Sequence, residues 1–68
     1  MKSVSGDEFA KVLRLHGWVL MRINGSHHIY WKPGQPAIIS VPIHGSRSLK
    51  MGLLKALMKI AALTEADL

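Results

Sequence analysis

Apolar positions along the chain change their period three times, and each change marks an element. Phe9, Val12, Leu13 and His16 recur at helical spacing with Lys11 and Arg14 on the other side, so an amphipathic helix of about three turns is predicted. Its start is marked by Ser5-Gly6-Asp7-Glu8, in which Ser can cap the first turn while Glu, three residues on, reaches back to the Ser amide. Asp7 and Glu8 also complement the positive end of the helix dipole, and Gly17 is placed to stop the helix in a left-handed conformation. Residues 18–23 are then rich in aromatic and branched side chains, and Asn24-Gly25 is the strongest two-residue signal for a tight hairpin turn. A partner strand is predicted over residues 27–32 and a turn at Pro33-Gly34-Gln35-Pro36. A third strand over 37–41 is closed by Pro42, which has no amide hydrogen to give to a ladder. After a loop at 43–47, Ser48 is the predicted cap of a second helix with Leu49, Leu53, Leu57, Ile60 and Ala61 on one face and Lys50, Lys55 and Lys59 elsewhere. Trp18, Met21, Met51 and Met58 are expected to fill gaps in the core.

Helix, three strands, helix is an α+β order: a three-stranded antiparallel meander with both helices packed on one sheet face. At 68 residues the chain is expected to form a single domain, residues 1–68. A domain of this size buries only about 60% of the surface that its unfolded chain exposes, so its core must be thin and continuous.

Charge alters this picture more through placement than through total. Nine Lys and Arg against four Asp and Glu give a formal net charge of +5. All four carboxylates, Asp7, Glu8, Glu65 and Asp67, lie near the ends, and Phe9 through Thr64 contain no acid while holding eight of the nine cations. Chemistry built on paired carboxylates has almost nothing to work with here. A basic middle suits a polyanion such as nucleic acid, an acidic protein, or plain solubility. The absence of Cys removes disulfides, thiolate zinc sites and thiol nucleophiles together, and with no signal-peptide or membrane-spanning pattern it implies a cytoplasmic protein.

Histidine remains as the side chain that titrates near neutral pH. His27 and His28 directly follow the predicted turn, and adjacent strand residues point to opposite faces, so the two are ill placed to clamp one metal ion. No metal and no cofactor are expected. Periodicity does not say which of the two faces the helices, because His27/Ile29/Trp31 and His28/Tyr30/Lys32 both mix apolar and polar members. RNA carries its own nucleophile, the 2′-hydroxyl. An imidazole with an ordinary pKa of about 6.5 can remove its proton while cations stabilise the charged phosphorane. A second acid would protonate the leaving 5′-oxygen, giving a 2′,3′-cyclic phosphate and a 5′-hydroxyl. Arg22, Lys32, Arg47 and Lys50 are the cations expected within reach by loop proximity. Ser26 can bond a phosphate or set up the turn; His28 is structural or positions substrate; His44 can orient or protonate the leaving group or hold its loop. Trp31 can stack a base, meet a partner or pack, and His16, beside Gly17, has a structural role.

These residues resemble the HicA family, small mRNA-cleaving toxins of bacterial and archaeal toxin–antitoxin pairs. The likeness runs from Gly17-Trp18 through Arg22-Ile23-Asn24-Gly25-Ser26-His27-His28-Ile29-Tyr30, then Val41-Pro42-Ile43-His44 and Leu49-Lys50-Met51-Gly52-Leu53-Leu54, nearly the whole chain. Gly-Ser-His alone is a weak signal, but followed in order by Val-Pro-x-His and Lys-x-Gly-x-Leu it is specific. The chain departs from the pattern at Leu53, where Thr is usual, and at Ala62, where Gly is often found. The resemblance implies a double-stranded-RNA-binding-like α-β-β-β-α fold, metal-free ribonuclease activity with His27 as the catalytic residue, and a HicB-like antitoxin that masks it. Two other readings fit the same charge: a non-catalytic RNA-binding module, and an interaction protein that recognises an acidic partner.

Overall fold

The computed structural model describes residues 2–68 and has the expected order. Helix α1 spans Gly6–Leu15, strands β1, β2 and β3 span Val19–Asn24, His27–Trp31 and Ile39–Pro42, helix α2 spans Met51–Ala61, and a 3-10 turn covers Glu65–Asp67. The sheet runs β1-β2-β3, antiparallel throughout. This is the α+β arrangement that the periodicity predicts.

The caps of α1 form as the sequence indicates. Ser5 Oγ accepts from the Glu8 amide at 3.1 Å, and Glu8 Oε1 accepts from the Ser5 amide at 3.0 Å. At the other end Gly17, at φ +89°, lets the Trp18 amide reach the Leu13 carbonyl at 2.9 Å, which closes the helix and turns the chain into the sheet.

Helix α2 starts later than expected. Ser48 is held in a bridge with Ser5, and the Leu49 amide donates to the Val4 carbonyl at 2.8 Å. That pairing keeps the backbone extended, so Lys50 occupies the cap position without a side-chain cap bond and the first helical residue is Met51. The buried set is accordingly Leu54, Leu57, Met58 and Ala61, with Leu49 ahead of the helix, while Leu53 and Ile60 lie on the exposed flanks. Ala62 ends α2 at φ 56°, a left-handed conformation that costs a residue with a Cβ about 1 kcal/mol.

Strands β2 and β3 are shorter than predicted, β1 keeps six residues but lies one position later, and Pro42, expected to follow the third strand, is its last residue. The Lys32 carbonyl accepts from the Gln35 amide in the turn, so β2 stops at Trp31, and β3 begins at Ile39 opposite Tyr30. Between Leu20 and Arg22 the register with β2 shifts by one, leaving Met21 as the extra residue of a bulge. Met21 and Met51, 43% and 40% exposed, therefore lie outside the core; Trp18 and Met58 are inside it as predicted.

Tyr30, Ile39 and Val41 face the helices and meet Phe9, Ala10 and Leu13 of α1 and the buried residues of α2, with Val4, Trp18, Leu49 and Leu63 filling the margins. Both helices thus cover one face of the sheet and leave the other open. Arg14 donates to the buried Tyr30 hydroxyl at 3.2 Å, whereas the buried Trp18 Nε1 has no hydrogen-bond partner among the described residues. All six residues of β1, one of the two edge strands, are exposed.

Candidate active site

Strand pairing decides the question that periodicity leaves open. His28 stands opposite Val41 and Tyr30 opposite Ile39, both inward-facing pairs, so His28 lies half-buried on the helix side. His27 is opposite Pro42 on one side and Asn24 on the other, and in the next outward row Ile29 lies between Arg22 and Ser40. The open face of the sheet therefore carries His27, Ser40 and Arg22 together.

His27 is the first residue of β2 and is exposed. Gly25, at φ +63°, makes the turn that delivers it. Its Nδ1 lies 3.0 Å from Ser40 Oγ, one position diagonally along the facing strand. In the tautomer that donates from Nδ1, the Ser40 hydroxyl accepts and Nε2 keeps its lone pair directed at solvent, the arrangement that a general base requires.

A second histidine joins the same end of the sheet. The Ile43 amide donates to the Ser26 carbonyl at 2.8 Å, which ties the loop after β3 to the hairpin turn. His44 Nε2 then lies 3.5 Å from Ser26 Oγ, at the limit of a hydrogen bond. The Arg47 amide closes a turn on the His44 carbonyl at 3.1 Å, with Gly45 at φ +58°. His44, Arg47 and Lys50 share the wall of one cavity with Pro42, the residue opposite His27.

Two predicted residues lie elsewhere. Lys32 follows the other end of β2, its side chain beside Gly17, about 17 Å from His27 at the usual rise per strand residue. His28 is on the covered face. His16 is the C-cap residue of α1, 3.6 Å from Asp67. Among the described residues, no three His, Cys, Asp or Glu side chains gather in a way that could hold a metal ion. No helix among the described residues is long and apolar enough to cross a membrane.

Ser40 is the site residue that sequence reasoning misses. Apolar-polar-apolar alternation in Ile39-Ser40-Val41 marks it as outward-facing, but only the β2–β3 register places it beside His27, and the irregular 33–38 connection leaves that register unfixed.

Fold and site together define a small basic α+β protein with an imidazole held on the uncovered face of its sheet. The family model for the HicA toxin of bacterial toxin-antitoxin systems matches residues 6–63, from the first residue of α1 to just past α2. The chain belongs to that family and is the toxin of a toxin–antitoxin system, so an antitoxin is its partner. Comparison with curated proteins returns no match.

Proposed function

We propose that the protein is a metal-independent endoribonuclease that cleaves mRNA, with His27 as general base, and that a HicB-like antitoxin inhibits it by covering the open face of the sheet. The observation that carries this reading is His27 itself: exposed, anchored through Nδ1 to Ser40, and set in a stretch of chain without a carboxylate. His27 Nε2 takes the proton of a ribose 2′-hydroxyl, whose oxygen attacks the adjacent phosphorus. The bond from phosphorus to the 5′-oxygen breaks, and that oxygen takes a proton as it leaves. His44, held near Ser26 at the same end of the sheet, is the candidate acid. Arg22 on the same face supplies positive charge for the phosphorane, whose extra negative charge exists only in the transition state. The products are a 2′,3′-cyclic phosphate and a 5′-hydroxyl.

The test is cleavage of a defined RNA in EDTA by purified protein. Wild type is expected to cut and His27→Ala to lose at least about 100-fold in rate, the lower range for a positioned general base. Replacing the scissile nucleotide by its 2′-deoxy counterpart should abolish cutting. Salt-sensitive RNA binding without product would instead mark a non-catalytic RNA-binding module, and loss of cutting in EDTA would refute the metal-free mechanism.

A further inference from the structure

Beside His27 the chain leaves β3 and enters α2 around a cavity of about 240 Å³. Its floor is apolar, formed by Pro42, Leu49 and Leu53, its rim carries the cations Arg47 and Lys50, and His44 and Ser48 complete the lining. Two features separate it from an ordinary surface groove. First, neither Arg47 nor Lys50 is paired with a carboxylate among the described residues, so both charges remain available to an anion. Second, Leu53 is 37% exposed, an apolar side chain turned away from the core toward this space. An inorganic anion has no use for such a floor, and an apolar ligand has none for such a rim. A planar, partly apolar ring joined to a phosphate uses both. The volume is below the roughly 300–1,000 Å³ of pockets that enclose drug-sized molecules, which limits the occupant to about one nucleotide.

Position supplies the rest. Pro42 belongs to the cavity and is also the cross-strand neighbour of His27, while His44 reaches from the cavity wall to Ser26 in the hairpin turn. Paired strands lie about 4.8 Å apart, so an RNA strand with its reactive 2′-hydroxyl at His27 can continue past Pro42 into this space.

We infer that this cavity is a nucleotide subsite, in which the base of the residue adjoining the cleaved bond lies on Pro42, Leu49 and Leu53 and its phosphate on Arg47 and Lys50. The inference rests on the ribonuclease reading and adds to it where base preference arises. The Arg47 guanidinium, planar and weakly hydrated, can stack on the exposed face of the base as well as bond the phosphate. Leu53 sets the width of the floor and so the size of ring that fits.

The experiment uses the full chain with Arg47→Ala/Lys50→Ala and, separately, Leu53→Ala, all at exposed positions. Circular dichroism and thermal melting confirm folding. Single-stranded RNA binding is measured by anisotropy across a salt series in a His27→Ala background, and cleavage kinetics are measured with His27 restored. The double variant is expected to weaken binding about tenfold and to reduce the slope of log affinity against log salt by about 0.7, the value for one single-strand phosphate contact. In cleavage, KM should rise about tenfold while kcat moves less than threefold. Leu53→Ala should alter the ranking of RNAs that differ only in the base beside the cut. It should also weaken competition by a nucleoside 3′-monophosphate while leaving competition by inorganic phosphate as it was. If wild type cuts RNA and neither variant changes KM or base ranking, the subsite is refuted and the nuclease stands. If wild type binds but never cuts, and the double variant binds less with the shallower slope, the nuclease is refuted and the subsite stands. If the variants lose affinity only for the antitoxin, the cavity is a protein contact and the subsite is refuted.

Discussion

Ser40 and His27 are both solvent-accessible, and the bond between them is the link that orients the imidazole. A hydrogen bond of this kind contributes about 0.5–1.5 kcal/mol net, which as orientation of a general base corresponds to roughly 2- to 12-fold in rate. Ser40→Ala is therefore expected to lower RNA cleavage within that range and Ser40→Thr, which keeps the hydroxyl, to recover most of it. Ser40 is half-buried, so the loss of folding free energy in Ser40→Ala should not exceed the roughly 0.5–1.5 kcal/mol of that bond; a cleavage rate equal to wild type in Ser40→Ala would remove Ser40 from the site. At this scale the sequence is legible where chemistry and local geometry coincide. His27 follows a tight turn, and its identity and neighbours are enough to single it out. Ser40 is contributed by a strand whose register depends on the whole fold, so no local pattern marks its partner. Arg47 and Lys50 are legible as cations near a loop, whereas the apolar floor between them needs the later start of α2 that exposes Leu53.

Among the elements, α1 is read almost to the residue because its two ends are written in local hydrogen-bond chemistry, Ser5 with Glu8 at one and Gly17 at the other. The start of α2 is misread for the opposite reason: Ser48 has the right side chain for a cap, but its backbone pairs with Ser5, 43 positions earlier in the chain. Helix start signals are local and lose to a long-range bridge. The α1 cap also carries a pH signature. The Ser5 amide, and then the Ser5 hydroxyl, hold the Glu8 carboxyl below its ordinary value of 4.5. The Thr64 amide does the same for Asp67 below 3.8, helped by the Thr64 hydroxyl and by His16. Both folded values are depressed, so their contribution is fully present above the ordinary carboxylate range and is lost as pH falls through the lowered values. The melting temperature should accordingly be steady as pH drops from neutral to about 5 and fall below about 4.5, near the reference carboxylate values. Glu8→Gln should make that acid fall shallower. An acid limb in Glu8→Gln as steep as in wild type would show that the cap is not its source.

Across the whole molecule, the seat of α1 against the end of β3 connects the core to the site. Gly6 lies where a Cβ would meet the Pro42 carbonyl and the Ile43 side chain, and Pro42 is the residue facing His27. In an isolated helix Gly6→Ala would gain roughly 1 kcal/mol. Here the crowded atom is backbone, and overpacking of this kind costs typically 1–3 kcal/mol. We expect Gly6→Ala to melt lower than wild type and to cleave RNA more slowly at temperatures where it remains folded, both measurable on one preparation. A melting temperature raised by the substitution would mean that α1 has room to move away. The overall α+β order was open to reading because each element has its own period and punctuation. The two helices cover the sheet face that carries Tyr30, Ile39 and Val41, a face that neither alternating set of β2 reveals alone.

The bulge at Met21 has a consequence for how these molecules meet one another. An edge strand with Val19, Leu20, Met21 and Ile23 all exposed is a template on which a neighbouring chain could extend the sheet. Met21 interrupts that edge in its middle, so an incoming strand finds only short runs of amides and carbonyls in step. One inserted residue thus guards a concentrated solution of the free toxin against stacking into ribbons.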